Sequence, residues 1–182
     1  MHDDFAARTA IHSLLASQLL AAMVYSDFIL RSGEAEREIW EQMLDDELEH
    51  VAHLRQLLHG GPVPNLRLPE INVLRMRESC EKIIALGRET FLLRLEGALR
   101  LECVELDYGL EGMAARRLRN NEIILDYPGD VRAHLNYLLG EAKRYTESRN
   151  IGLQIRRLNE LLETSLTETT VKTRTNSTRI KI

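Results

Sequence analysis

The chain has 182 residues, 44% hydrophobic and 29% charged, the balance of one globular domain rather than of a disordered chain. A formal charge of −4 argues against non-specific nucleic-acid binding, and 4 prolines, 10 glycines and 5% aromatics over long apolar-periodic stretches favour helices over a sheet. No run approaches the ~18 consecutive apolar residues of a membrane helix, Met1-His2-Asp3-Asp4 is no signal peptide, and Cys80 and Cys103 form no CxxC pair. The expectation is a cytoplasmic protein that binds neither nucleic acid nor membrane.

In chain order, a first helix is expected from about Ala10 to Arg31, its inward stripe running through Ile11, Leu14, Gln18, Ala21, Tyr25 and Phe28. Ser32-Gly33 ends it. A second follows from about Glu34 to Leu58 with Trp40, Met43, Glu47, His50, Leu54 and Leu57 inward, so that the two form an antiparallel hairpin. Gly60-Gly61-Pro62-Val63-Pro64 and Pro69 break the pattern, and a less regular helix spans Glu70 to about Leu86. A third main helix is expected from Glu89 to about Arg119, with Leu95, Leu99, Glu102, Leu106 and Leu110 inward. Pro128-Gly129-Asp130 breaks the chain again, with Asp130 as N-cap of a fourth helix from Val131 to about Glu163. Hairpin, long connection and hairpin together make a one-crossover four-helix bundle with an additional helix in the crossover, over residues 1–163. The Val131–Glu163 helix, about 50 Å at ~1.5 Å per residue, outruns a compact bundle. Its second half, with Ile151, Leu153, Ile155 and Leu158, is therefore expected to pack on another copy in a dimer or larger homo-oligomer. Residues 164–182 are a Thr-rich tail with Lys172, Arg174, Arg179 and Lys181 against a lone Glu168. They read as a flexible terminus, or as a β-prone segment that adds a strand to a protein partner.

Each main helix carries a polar residue in its apolar stripe: Gln18, Glu47 with His50, Glu102, and Glu141 beside Leu138 and Ala142. Four such groups at matching depth are costly to bury unless something pairs them. Glu47 and His50 stand at i and i+3, so their side chains share a face and can reach one metal ion. His134 lies two turns from Glu141 along the same helix, about 10 Å at ~1.5 Å per residue, too far to share an ion with it. His53 is expected to face solvent, as are Asp45 and Asp46. Cys80 and Cys103 read as small apolar core residues.

The run Leu44-Asp45-Asp46-Glu47-Leu48-Glu49-His50-Val51 resembles the second helix of the ferritin-like superfamily, which includes bacterioferritin and rubrerythrin. Gln18 and Tyr25 match the Glu and Tyr of its first helix, Leu101-Glu102 and Tyr108 those of its third, and Glu105 an additional rubrerythrin-like carboxylate. Glu141-Ala142-Lys143-Arg144 stands where a second Glu-x-x-His should be, so Gln18 and Arg144 depart from the pattern. The resemblance implies a ferritin-like antiparallel bundle that binds iron or manganese for iron, peroxide or oxygen chemistry. Glu47, His50, Glu102, Glu105 and Glu141 would be ligands, with Gln18, Tyr25, Tyr108 and Arg144 around them. Glu47, Glu102, Glu141 and Arg144 total −2, which one divalent ion neutralises, whereas adding Glu105 gives −3, midway between one ion and two. The expectation is one ion per chain. The alternative is a metal-free scaffold or partner-binding protein in which Arg144 supplies the cation, since a guanidinium never deprotonates.

Overall fold

Apolar residues at helical spacing dominate the sequence, and among the described residues of the computed structural model (2–59, 71–107 and 127–176) every regular element is a helix. Helix α1 spans His2–Arg31, α2 Glu34–His59, α3 Val73–Leu86, α4 Phe91–Asp107, α5 Tyr127–Ala142 and α6 Arg149–Asn176, with a 3-10 turn at Lys143–Tyr145. Local chemistry sets several ends. The Gly33 carbonyl accepts the first bonds of α2 from Glu36 and Arg37, and Glu34 and Glu36 place negative charge in that helix's first turn. The Asn72 side chain caps α3 by accepting from Arg75 N at 3.0 Å, and Thr90 Oγ1 does the same for Leu93 N ahead of α4.

Side-chain pairs fix the directions. Gln18 meets His50, and Tyr25 stacks on Trp40, so α1 and α2 are antiparallel. Gln18 also reaches Glu105, and Tyr25 reaches Glu102, which sets α4 antiparallel to α1 and therefore parallel to α2. The chain must cross the length of the bundle between α2 and α4, and α3, packed on both α1 and α4, lies in that crossing. His134 against Glu102 and Tyr145 against Phe91 make α5 antiparallel to α4. Asn150 then bonds Glu96 as α6 returns alongside α4.

Two differences from the sequence reading concern the last helices. The fourth helix begins earlier, at Tyr127, which puts Pro128 in its first turn, where a missing N–H costs nothing, and leaves Asp130 inside the helix rather than at its cap. It also stops at Ala142. The Ser148 carbonyl accepts from Gly152 N and opens α6, which buries Ile151, Ile155 and Leu158 within the same chain. The long single helix that argued for a second copy is thus a pair of shorter ones, and only Leu153 of those four apolar residues is exposed. Helix α6 continues past Glu163 to Asn176, into the Thr-rich segment. The expected third-helix residues beyond Asp107, Tyr108 among them, lie outside the described residues.

Helix α1 is long and apolar enough over Arg8–Arg31 to cross a membrane by length and composition, with mean hydropathy 1.5. In the fold one face of it is buried, through Ile11, Leu14, Val24, Tyr25 and Phe28, while Leu19, Met23 and Leu30 are exposed. One apolar cluster gathers Phe28, Trp40, Met43, Leu95 and Leu99, and a smaller one gathers Ile11, Leu14, Leu54, Leu57 and Ile71 at the other end of the α1–α2 hairpin. The buried polar side chains of Gln18, Glu47 and His50 lie between them along that hairpin.

At the α3–α4 corner the backbone presses on an aromatic ring. An ideal Cβ on Gly87 would stand 2.5 Å from Phe28 Cε1 and 3.1 Å from Arg94 Cγ, while Gly33 has nothing within 4 Å. Gly87→Ala should therefore cost about 1–3 kcal/mol by overpacking. Thermal unfolding would show this as a melting temperature lower by roughly 2–10 °C, with Gly33→Ala as the sterically silent control.

Candidate metal centre

The site is assembled from α1, α2, α4 and α5, each contributing a polar side chain at the depth where its apolar stripe is interrupted. Glu47, Glu102 and His134 come together: one donor atom of each lies within 4.8 Å of the others, and all three residues are buried. His134 Nε2 is 3.0 Å from Glu102 Oε1 and 3.7 Å from Glu47 Oε1. Its other nitrogen, Nδ1, is 3.2 Å from Asp46 Oδ2. Around this trio, the Tyr25 hydroxyl donates to Glu102 Oε1 at 2.5 Å. Gln18 Nε2 donates to Glu105 Oε1 at 3.1 Å, which turns the Gln18 Oε1 toward His50 Nδ1 at 2.9 Å. His50 Nδ1 is also 3.7 Å from Glu47 Oε2.

Glu47 is the unusual member. It is fully buried, and neither of its carboxylate oxygens has a hydrogen-bond partner. A buried carboxylate left in that state is expensive, and each such group calls for an account.

The electrostatics follow from burial set against this crowding of charge. Burial pushes Glu47 above the usual carboxylate range, against the pull of His50 and His134. Glu105 is pushed well up, by burial and then by Glu47 and Glu102. Burial also presses on Glu102, but His134 and the Tyr25 bond outweigh it and hold its carboxyl below the ordinary value. For His134 burial favours the neutral ring, yet Glu102 and Asp46 raise it well above the usual histidine range. Both nitrogens of His134 face a carboxylate, Asp46 and Glu102, an arrangement that favours the doubly protonated ring donating to each. Tyr25 is held strongly protonated by burial and by Glu102 and Glu47. Burial, with Glu105 and Glu47 nearby, pushes the Cys80 thiol up to about 12, so it is an inert core thiol.

Of the residues singled out in the sequence, Glu47 and Glu102 enter the trio, and His50, Glu105, Gln18 and Tyr25 surround it. Glu141 does not. It lies at the edge of α5 and accepts from Arg144 Nη1 at 2.8 Å, in an i,i+3 pair whose arginine side chain is 69% exposed. Arg144 is thus a surface cation rather than a replacement for buried metal charge, and the basic side chain beside the buried carboxylates is His134. The sequence places His134 too far from Glu141 along the helix to share an ion with it. That distance stands, but of the two it is Glu141 that lies outside the site. Asp46, read as part of a solvated face, touches His134.

A metal ion held by oxygen and imidazole nitrogen needs donors about 2.0–2.2 Å from it, and so roughly 3 Å from one another, which is the spacing His134 already keeps with Glu102. The Asp46–His134 contact is the carboxylate support that metal-bound histidines usually have on their far nitrogen, fixing ring and tautomer. No family model, curated protein or solved structure matches the chain.

Proposed function

We propose that the protein binds one divalent transition-metal ion through Glu47, Glu102 and His134, with Asp46 and Tyr25 orienting His134 and Glu102. The observation that carries this reading is Glu47, whose two buried oxygens accept no hydrogen bond and have only the 3.7 Å contacts to His50 and His134 while facing a second carboxylate. One divalent ion balances Glu47 and Glu102 once His134 is neutral and Glu105, pushed well up, keeps its proton. Two carboxylates and one imidazole suit iron, manganese or zinc. Three protein ligands leave positions open for water or a small molecule, as in reactive rather than purely structural sites.

The parallel α2 and α4 and the crossing between them are the arrangement expected of a ferritin-like bundle with one long crossover. On that likeness the metal is iron or manganese, and the chemistry is that of iron and oxygen. The alternative is a metal-free scaffold, and its supporting observation is the pairing of His134 with both Asp46 and Glu102, which supplies a cation without metal.

Protein purified without chelators should carry close to one ion per chain by elemental analysis. Glu47→Ala and His134→Ala should each lose more affinity than the roughly 10–100-fold that removing an outer hydrogen-bond partner of a ligand costs. Glu141→Ala and Arg144→Ala should retain the ion. Two ions per chain would overturn the single-ion reading, and none after reconstitution of folded protein would leave the scaffold.

A further inference from the structure

The side chains of the centre, from Gln18 on α1 to His134 on α5, belong to residues that are at most 7% exposed. Asp46 is different. Its side chain is 25% exposed, yet its Oδ2 lies 3.2 Å from His134 Nδ1, while Gln42 Nε2 holds the other oxygen at 2.9 Å. It sits on the seam between α2 and α5. Glu38 on α2 flanks the same seam and, with Asp46, raises the Tyr137 phenol; Glu141 on α5 does so too, but its charge is met by Arg144, which acts the other way. Behind Asp46 stands the His134 ring, and behind the ring the oxygens of Glu47, which accept no hydrogen bond. A carboxylate at a partly exposed seam draws cations toward it and raises their rate of arrival.

We propose that Asp46 is the loading residue of the centre: a hydrated divalent cation is taken first by the Asp46 carboxylate at the α2–α5 seam and passed across His134 to Glu47 and Glu102. The inference rests on the metal reading above and adds to it a route and a residue. Each step exchanges water for a carboxylate or imidazole donor, and His134 releases its Nε2 proton to solvent as the ion reaches it, keeping the Nδ1 proton toward Asp46, so the ion is never stripped without a replacement. His134, in contact with Asp46 on one side and Glu102 on the other, is the partition that the ion crosses.

Loading of Co(II) into the metal-free full chain, followed by its visible absorption in a stopped-flow instrument, tests this, with dissociation measured separately by chelator competition. Asp46→Asn, isosteric but uncharged, should lower the association rate constant by about tenfold or more, within the range that local electrostatics commands. Asp46→Glu, which keeps the charge, should retain fast loading. Asp45→Asn, which removes the same charge one residue away, should stay within about twofold of the parent. His134→Ala should lose Co(II) mainly by faster dissociation. An unchanged association rate in Asp46→Asn, with all of its loss in dissociation, would make Asp46 a support for His134 alone and overturn the loading route. Equal slowing in Asp45→Asn would reduce the effect to general attraction and overturn it too. No uptake of Co(II) by the parent protein would overturn the metal centre itself and the route with it.

Discussion

Glu47→Gln is expected to stabilise the metal-free protein while abolishing its metal binding. The native carboxyl is buried with neither oxygen accepting a hydrogen bond, so the fold carries a desolvated acid that the 3.7 Å contacts to His50 and His134 offset only in part. A glutamine has nearly the same shape and no charge, and the Glu102 carboxylate, a hydrogen-bond acceptor, lies within 4.8 Å of residue 47. Relieving an unsatisfied buried polar group is worth about 1–3 kcal/mol, which for a chain of this size is a rise of roughly 2–10 °C in melting temperature. The counter-effect is a weaker hold on the His134 imidazolium, but Glu102 and Asp46 come before Glu47 among the groups that sustain it. Calorimetry of the metal-free parent and variant gives the sign directly. A lower melting temperature in Glu47→Gln would mean that His134 depends on the Glu47 charge, and that the cluster is a structural ion network rather than a site kept at a cost in stability.

That cost explains which parts of the molecule could be read from the residues. Helices α1 and α2 and the inward set Gln18, Tyr25, Glu47 and His50 follow from the 3.6-residue period alone, because every inward position repeats on one face. Glu102 and Glu105 are legible the same way on α4. On α5 the period was equally available: His134, Leu138 and Ala142 stand at i, i+4 and i+8, and all three are buried. Glu141 sits three residues after Leu138, at the border of that face, where a long side chain reaches outward to Arg144. The ferritin-like pattern drew attention to 141–144, since a Glu-x-x-His was due there, and away from the histidine two turns earlier. Asp46 was hidden for another reason. Its neighbours Asp45 and Glu49 are exposed, and only the approach of α5, a long-range event, shows that one acid in the run meets His134. The end of α5 after Ala142 carries no proline or glycine, so a continuous helix was the natural reading. What stops it is the turn through Tyr145 to Ser148, favoured once α6 can bury Ile151 and Ile155.

The second large effect is an inverted response to pH on loading with metal. In the metal-free protein Glu47 and Glu105 have folded pKa values above their unfolded ones, so their stabilising contribution is present below about 4.5 and lost as pH rises through the folded values. His134 is raised as well, and its contribution, complete below about 6.5, disappears as pH climbs through its elevated folded pKa. Glu102 and Asp46 act oppositely: both are lowered, so their contribution exists above about 4 and is lost only in acid. Together these place maximal stability of the metal-free protein in mild acid, with a decline through neutrality of up to about 1.4 kcal/mol per pH unit for each proton released on unfolding. Metal requires the deprotonated forms of the same groups, the Glu47 carboxylate and the His134 Nε2 lone pair, so binding must expel protons and strengthen with pH over that window. Urea melts from pH 5 to 9 should fall with pH without metal and rise with it, and titration in weakly buffered solution near pH 7 should release about one to two protons per ion. Parallel pH curves with no proton release would show that the ion binds somewhere other than Glu47 and His134, because no ion can occupy that trio while His134 keeps both of its protons.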